Sequence, residues 1–284
     1  MGEKYFAGID VGASAVKVVI INDKKEIKAH AIHKSGVNLI NSAQSALDQA
    51  KSAISSQPIA IERTVSTGFG RNNLPFAQKS ITEISAHSKG VYYFFPMALT
   101  IIDIGAQDNK IIRINDKGHL VNFKMNRKCA AGTGVFLEEI AYKMDIPLNE
   151  LNGLGKQSDN PVELGSYCTV FTGTEILSRI REGRKKEDIV RGVFGSVVKR
   201  IIEMDPLEDT WAVPLQRNTA QYGCQYSAKA ELANHKVAIT GGVIAHNDII
   251  LDLLRIHTKK EILIPRLAQF TGALGAALSA MESE

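Results

Sequence analysis

The sequence predicts an α/β protein built from two similar domains, and three observations carry that expectation. At 284 residues the chain is longer than one compact core organises well and suits two units of roughly 100–150 residues each. Strand-like apolar runs alternate with helical patterns along the chain. A segment near the N-terminus also returns 93 positions later without a gap: Ile9-Asp10-Val11-Gly12-Ala13-Ser14-Ala15-Val16-Lys17 is echoed by Ile102-Asp103-Ile104-Gly105-Ala106-Gln107-Asp108-Asn109-Lys110, and the match runs on to Asn22 and Asn115. Such self-similarity predicts two copies of one strand–turn–strand unit.

The elements follow in order. Residues 5–10 form an apolar strand ending in Asp-Val-Gly, 15–22 a β-branched strand, Lys24-Lys25 a turn and 26–33 a third strand. Residues 41–56 read as a helix with Ala43, Ala46, Leu47, Ala50 and Ile54 on one face. A strand at 59–66 and a helix at 81–95 close the first unit, and the second copy continues into a strand at 119–125. Three helical segments come next, at 132–144, 173–182 and 187–204. Residues 205–232 read as irregular, with Pro206, Trp211, Pro214 and Gly223-Cys224. The chain then returns to α/β: a strand at 236–240, a helix around 248–256, a strand at 261–264 and a small-residue helix at 271–281.

Composition removes several classes of function. Hydrophobic residues at 44% and charged residues at 23% are ordinary for a globular chain. No apolar run approaches the ~20 residues of a membrane span, and residues 1–5 lead straight into a strand with no signal peptide. A cytoplasmic protein without a membrane partner is expected. The net charge of +4 is dispersed. The one dense basic run, 179–186, contains Glu182 and reads as a solvated helix end, so no nucleic-acid partner is expected. Three cysteines, Cys129, Cys168 and Cys224, with no CxxC pair, argue against a disulfide framework and leave any metal site within one chain short of thiolates.

The chemistry centres on the paired Asp-x-Gly turns. A glycine at the tip of a tight turn lets backbone N–H groups approach a phosphate. An Asp at the end of the preceding strand suits Mg²⁺ or its water shell. One such turn is usually an ordinary hairpin, but two in register could clamp a nucleotide's phosphates from both sides. Asp10 and Asp103 are the candidate Mg²⁺ organisers, and Gly12, Ala13, Ser14, Gly105 and Ala106 the phosphate donors. Gln107 or Asp108 would position an attacking water. Lys17 is either a phosphate-neutralising cation or an exposed strand lysine. A third glycine-rich surface, Gly241-Gly242-Val243 with Gly272 and Gly275, permits close approach to a ring and ribose. For Gly275, tight helix packing is the alternative.

Two phosphate turns followed by a late Gly-Gly and a small-residue helix resemble the acetate kinase–sugar kinase–Hsp70–actin superfamily. The resemblance implies two ribonuclease-H-like domains with the nucleotide in the cleft between them and closure linked to hydrolysis. On this scheme the first domain spans residues 1–98 and is completed by the C-terminal helix, 265–284, while the second spans 99–264 and carries the insertion.

The cysteine segments narrow the resemblance. Cys129 opens Cys129-Ala130-Ala131-Gly132-Thr133-Gly134, and Cys168 opens Cys168-Thr169-Val170-Phe171. Each precedes a helical run, whose N-terminus stabilises a thiolate. For either alone, a buried inert thiol is the ordinary reading. With these segments the chain resembles the activator ATPases of 2-hydroxyacyl-CoA dehydratases and the related ATPase subunits of benzoyl-CoA reductase. The resemblance runs through 8–17, 82–87, 103–110, 126–137, 168–175, 241–243 and 269–278. It implies that Cys129 and Cys168 from each of two chains hold one 4Fe–4S cluster, and Gly132, Thr133 and Gly134 join the cofactor-binding candidates. It further implies ATP and ADP with Mg²⁺ as cofactors, and a second copy or a homologous ATPase subunit as the dimer partner. An iron–sulfur dehydratase or reductase component would be the electron acceptor, and ferredoxin or flavodoxin the donor. The chain departs from the pattern at Ala13, where a hydroxyl residue is expected, and in its long 205–232 segment. A small-molecule kinase and a non-catalytic actin-like scaffold are the alternatives. The kinase reading gives the paired cysteine segments no role, and the near-intact phosphate turns weigh against a scaffold.

Overall fold

The computed structural model describes residues 3–126, 133–165, 169–205 and 236–282. The first half supplies β1 (Tyr5–Val11), β2 (Ala15–Asn22), β3 (Ile27–Lys34), α1 (Leu39–Ile54), β4 (Arg63–Thr67), β5 (Lys79–Ser80) and α2 (Glu83–Phe94). The second supplies β6 (Leu99–Ile104), β7 (Asn109–Ile114), β8 (Leu120–Asn126), α3 (Thr133–Lys143), α4 (Leu151–Lys156), α5 (Thr169–Arg181) and α6 (Lys186–Met204). The chain closes with β9 (Lys236–Thr240), α7 (Ile249–Thr258), β10 (Ile262–Leu263) and α8 (Thr271–Glu282).

The strands make two five-stranded sheets, ordered β3-β2-β1-β4-β5 and β10-β9-β6-β7-β8. Each is a hairpin meander joined to two parallel strands, so the two have the same topology. The repeat holds down to single hydrogen bonds. Asp10 pairs with Lys17 across β1–β2, and Asp103 with Lys110 across β6–β7. A register shift at Ile20/Ile21 recurs at Arg113/Ile114. The Asn22 side chain accepts from the amides of Lys24 and Glu26, and Asn115 does the same for Lys117 and His119. Asn at this place closes the turn by mimicking a backbone carbonyl.

Apolar side chains alternate across both sheets. Ile9, Val11, Val16 and Val18 face Ala43, Ala46 and Ala50 of α1, while Val19 and Ile21 on the other face meet Ala273, Leu274 and Ala277 of α8. In the second sheet Ile102, Ile104 and Ile111 face Phe136, Ile140 and Phe194, whereas Leu99, Ile101 and Ile112 meet Ile84 and Val91 of α2. The layers therefore run α1, first sheet, α8, α2, second sheet, outer helices. Among the described residues no helix is long and apolar enough to cross a membrane.

The α8–α2 contact is backbone to backbone. A Cβ on Gly275 would run into the Ala86 carbonyl, one on Gly90 into Thr271, and one on Gly8 into Ala273. The small-residue composition of α8 thus follows from its place between a sheet and another helix. Gly90→Val should lower stability by about 2–3 kcal/mol through overpacking, read as an earlier urea midpoint. An unchanged midpoint would mean that the two helices part without cost.

Candidate functional site

Both acids of the repeat end a strand and are buried, Asp10 on β1 and Asp103 on β6. Lys17 Nζ lies 3.6 Å from Asp10 Oδ2. Lys110 Nζ lies 3.4 Å from Asp103 Oδ2, 2.6 Å from Asp108 Oδ1 and 2.9 Å from Glu83 Oε2 of α2. Asp103 Oδ1 accepts the Thr240 hydroxyl at 2.9 Å, and His87 Nε2 approaches Oδ2 at 3.6 Å. Burial alone would raise the Asp103 carboxyl. His87, Lys110, the Thr240 hydroxyl and Lys17 together outweigh it and lower the group to about 2. Burial likewise opposes the Lys110 charge, but Asp103, Glu83 and Asp108 hold its ammonium above the ordinary lysine value. Lys17 belongs to the first sheet and acts on the acid of the second, so both acids face one space.

The turns beyond the acids are built alike. Gly12 N–H donates to the Ala15 carbonyl at 3.2 Å and Gly105 N–H to that of Asp108 at 3.0 Å. A Cβ at either glycine would sit 2.8 Å from the carbonyl oxygen it faces. Ala13, Ala106 and Asp108 are half-buried, and Ser14 and Gln107 are exposed. Ser35 braces the first turn: its hydroxyl donates to the Gly12 carbonyl at 2.6 Å and its N–H to that of Ser14 at 3.1 Å. The second turn is braced by the start of α3, where Gly134 N–H donates to Gly105 at 3.3 Å and Val135 N–H to Ala106 at 3.1 Å. Thr133 donates to Asn109 Oδ1 at 3.0 Å. Thr133 and Gly134 therefore hold the second Asp-x-Gly turn itself.

The third surface follows β9. Gly241 has φ +103°, and a Cβ there would collide with the Ile104 carbonyl, so this place favours glycine. Gly242 opens onto empty space, and Val243 packs toward Gly134. A Cβ on Gly272 would stand 3.2 Å from both Asp10 Oδ2 and His87 Nε2, which puts the start of α8 beside the acids. Gly275 serves helix packing instead.

The model of the BadF/BadG/BcrA/BcrD ATPase family matches residues 7–280. The chain belongs to this ATPase family. It is 38% identical over 279 residues to the activator of lactoyl-CoA dehydratase from Anaerotignum propionicum, covering 98% of each protein. The activator of the 2-hydroxyisocaproyl-CoA dehydratase from Clostridium difficile, solved with bound ADPNP, superposes with a TM-score of 0.81 at 36% identity, covering 98% of this chain and 94% of that one. A ROK family glucokinase from Streptomyces griseus superposes at 0.57 with 13% identity, covering 99% of this chain and all of that one, a likeness of fold alone. The two-domain α/β architecture is that of the actin-like ATPases and sugar kinases.

Against this family background, sequence reasoning missed several groups around the acids. Lys110 and Asn109 stand in the quoted repeat, and Thr240 ends the strand before Gly241, but none is among the candidate site residues of the sequence. The match of Lys110 to Lys17 was the available signal. His87 lies in the 82–87 segment of the resemblance. Its Nδ1 sits 3.1 Å from the Thr271 hydroxyl, so it joins α2 to α8 as well as to Asp103. Glu83 lies in the same 82–87 segment, whereas Ser35 gave no local signal. Cys129, Gly132, Cys168 and Cys224, with most of the 205–232 segment, lie outside the described residues. The basic run at 179–186 spans the exposed end of α5 and start of α6, where Arg179 pairs with Glu182 at 2.9 Å.

Proposed function

We propose that this chain hydrolyses Mg·ATP between its two aspartate turns and uses the resulting domain movement to deliver a low-potential electron to an acyl-CoA dehydratase or reductase component. The relatives named as dehydratase activators, one of them solved with an ATP analogue, support this reading. So does one contact in the chain: the first amides of α3, a few residues after Cys129, donate to the carbonyls of the second phosphate turn. A change at that turn on hydrolysis is therefore passed directly to the segment that opens with Cys129. Packed elements joined in this way shift together.

The residues fit a nucleotide with its metal. Two buried carboxylates stand near the ends of corresponding strands of the two sheets, and Asp103 is held ionised. Among the described residues no three His, Cys, Asp or Glu side chains gather to hold a metal ion. Mg²⁺ would be held by Asp10 and Asp103 through its waters and by phosphate oxygens, and when bound it neutralises charge on the phosphates. Gly12, Ala13, Ser14, Gly105 and Ala106 would offer backbone donors, and Gly241, Gly242, Val243 and Gly272 would receive the nucleoside. Lys17 would turn from Asp10 to a phosphate. Exposed Gln107 is free to orient water, whereas Asp108 is tied to Lys110. The kinase alternative gives the paired cysteine segments no role, which weighs against it.

The donor set fits a cluster shared between two chains. Two cysteines head helical segments in one chain, and α5 begins at Thr169, the residue after Cys168. Four thiolates from a dimer match the usual ligand count of a 4Fe–4S cluster, which supplies a one-electron carrier when bound. Ferredoxin or flavodoxin would reload it in the cytoplasm. Anaerobically purified protein should be brown, carry about four irons per dimer and hydrolyse ATP. A colourless, iron-free protein that phosphorylates a small molecule would overturn the proposal.

A further inference from the structure

The repeat extends to a pair that the constant spacing hides. In each sheet the parallel strand beside the acid ends in Thr-Gly: Thr67-Gly68 after β4 and Thr240-Gly241 after β9. Thr67 is the register partner of Asp10, as Thr240 is of Asp103. Both glycines have a left-handed backbone, φ +92° at Gly68 and +103° at Gly241. Residues in register on adjacent strands present their side chains to the same face. The two threonines therefore stand in the same relation to their acids.

They differ in what they bond. Thr240 donates to Asp103 at 2.9 Å. Thr67 is fully buried, yet its Oγ1 has no hydrogen-bond partner among the described residues. A buried donor without an acceptor carries a desolvation cost that only an alternative arrangement relieves. Its register partner Asp10 carries a fitting acceptor, and Asp10 Oδ1 lies 2.5 Å from the place of a Cβ on Gly68, the residue after Thr67. Asp10 is instead directed toward Lys17 at 3.6 Å.

We propose that Thr67 is a positioning residue that latches Asp10 when nucleotide binds. This rests on the nucleotide reading above. A phosphate draws the Lys17 ammonium away, and Asp10 loses its cation. A rotation of its carboxyl then brings it onto the Thr67 hydroxyl, in the arrangement Asp103 already has with Thr240. The latch fixes the carboxylate that faces the metal's water shell. The second acid is fixed beforehand, and the first becomes fixed on loading.

The test compares Thr67→Val, Thr67→Ser and Thr240→Val by thermal melting alone and by titration with Mg·ADP. Val matches Thr in shape and removes only the hydroxyl. T67V without nucleotide should melt at or above wild type, because an unbonded buried donor is gone. Its Mg·ADP affinity should fall about tenfold, the scale of a hydrogen bond to a charged group, and T67S should bind as wild type does. T240V should melt lower even without nucleotide, because its hydroxyl is already bonded. T67V binding Mg·ADP as tightly as wild type would overturn the latch. So would a T67V protein that fails to fold or melts well below wild type, since the hydroxyl would then be engaged before nucleotide arrives. Wild-type protein that does not bind Mg·ADP at all would overturn the nucleotide reading itself and this proposal with it.

Discussion

Asp103→Ala should cut ATP hydrolysis by about 10²-fold or more, the scale for loss of a positioned charge, while the protein keeps its brown colour and still accepts an electron from a chemical reductant. The carboxylate is buried and ionised, and its two oxygens are engaged by Thr240, Lys110 and His87. Removing it leaves Lys110 with Asp108 and Glu83 but takes the charge that, on the proposed function, faces the metal and phosphates. Asp103→Asn keeps the shape and an acceptor for Thr240, so it should fold as wild type does and still lose hydrolysis. On the proposed mechanism transfer to the partner enzyme should fall in step, because the α3 amides donate to the carbonyls of the second turn. The decisive assay is anaerobic and follows hydrolysis and partner reduction in one sample. Normal partner reduction without hydrolysis would separate the nucleotide site from the cluster and remove the basis of the proposed function.

Cys129→Ala and Cys168→Ala should each abolish iron binding and weaken dimerisation, with Mg·ADP binding retained. One chain offers two thiols in matching segments, and four are needed. Loss of either thus removes two ligands from a shared cluster. Cys224→Ser serves as the control and should keep full iron, since no matching motif surrounds it. Iron analysis with size-exclusion chromatography reads both effects. Full iron in Cys129→Ala would sink the assignment, and loss in Cys224→Ser with retention in Cys168→Ala would mean a different ligand pair.

Much of the fold was legible because its signals are local. The strands at 15–22 and 236–240 were read to the residue, as period-2 patterns bounded by turns allow. The errors have physical causes. The sequence pattern carries β4 back over 59–62, but the strand begins only at Arg63, where the ladder to Phe6 starts; a partner's position is invisible in one strand. The helix at 173–182 begins four residues earlier, at Thr169, and opens with a Thr-Val-Phe stretch whose composition resembles a strand. β5, at two residues, and α4, at six, are too short to establish a period. The Thr67-Gly68 counterpart of Thr240-Gly241 was missed because the offset there is 173, no longer 93, once the helices of the second half intervene.

By itself the sequence determined the two Asp-x-Gly turns, the paired acids and the repeated meander that presents them. A glycine at a turn and an Asp at a strand end act within a few residues, and the repeat wrote that arrangement twice. Only the tertiary structure decided what surrounds each acid. Thr240 reaches Asp103 across 137 residues of chain, and His87 meets Thr271 across 184. Glu83 reaches Lys110 because α2 leaves its own half of the chain to pack on the second sheet. Those neighbours hold Asp103 ionised, while Asp10 leans on a lysine beside an unused hydroxyl. They come together through burial of helix faces, a balance of apolar area over the whole molecule that no local window of residues contains.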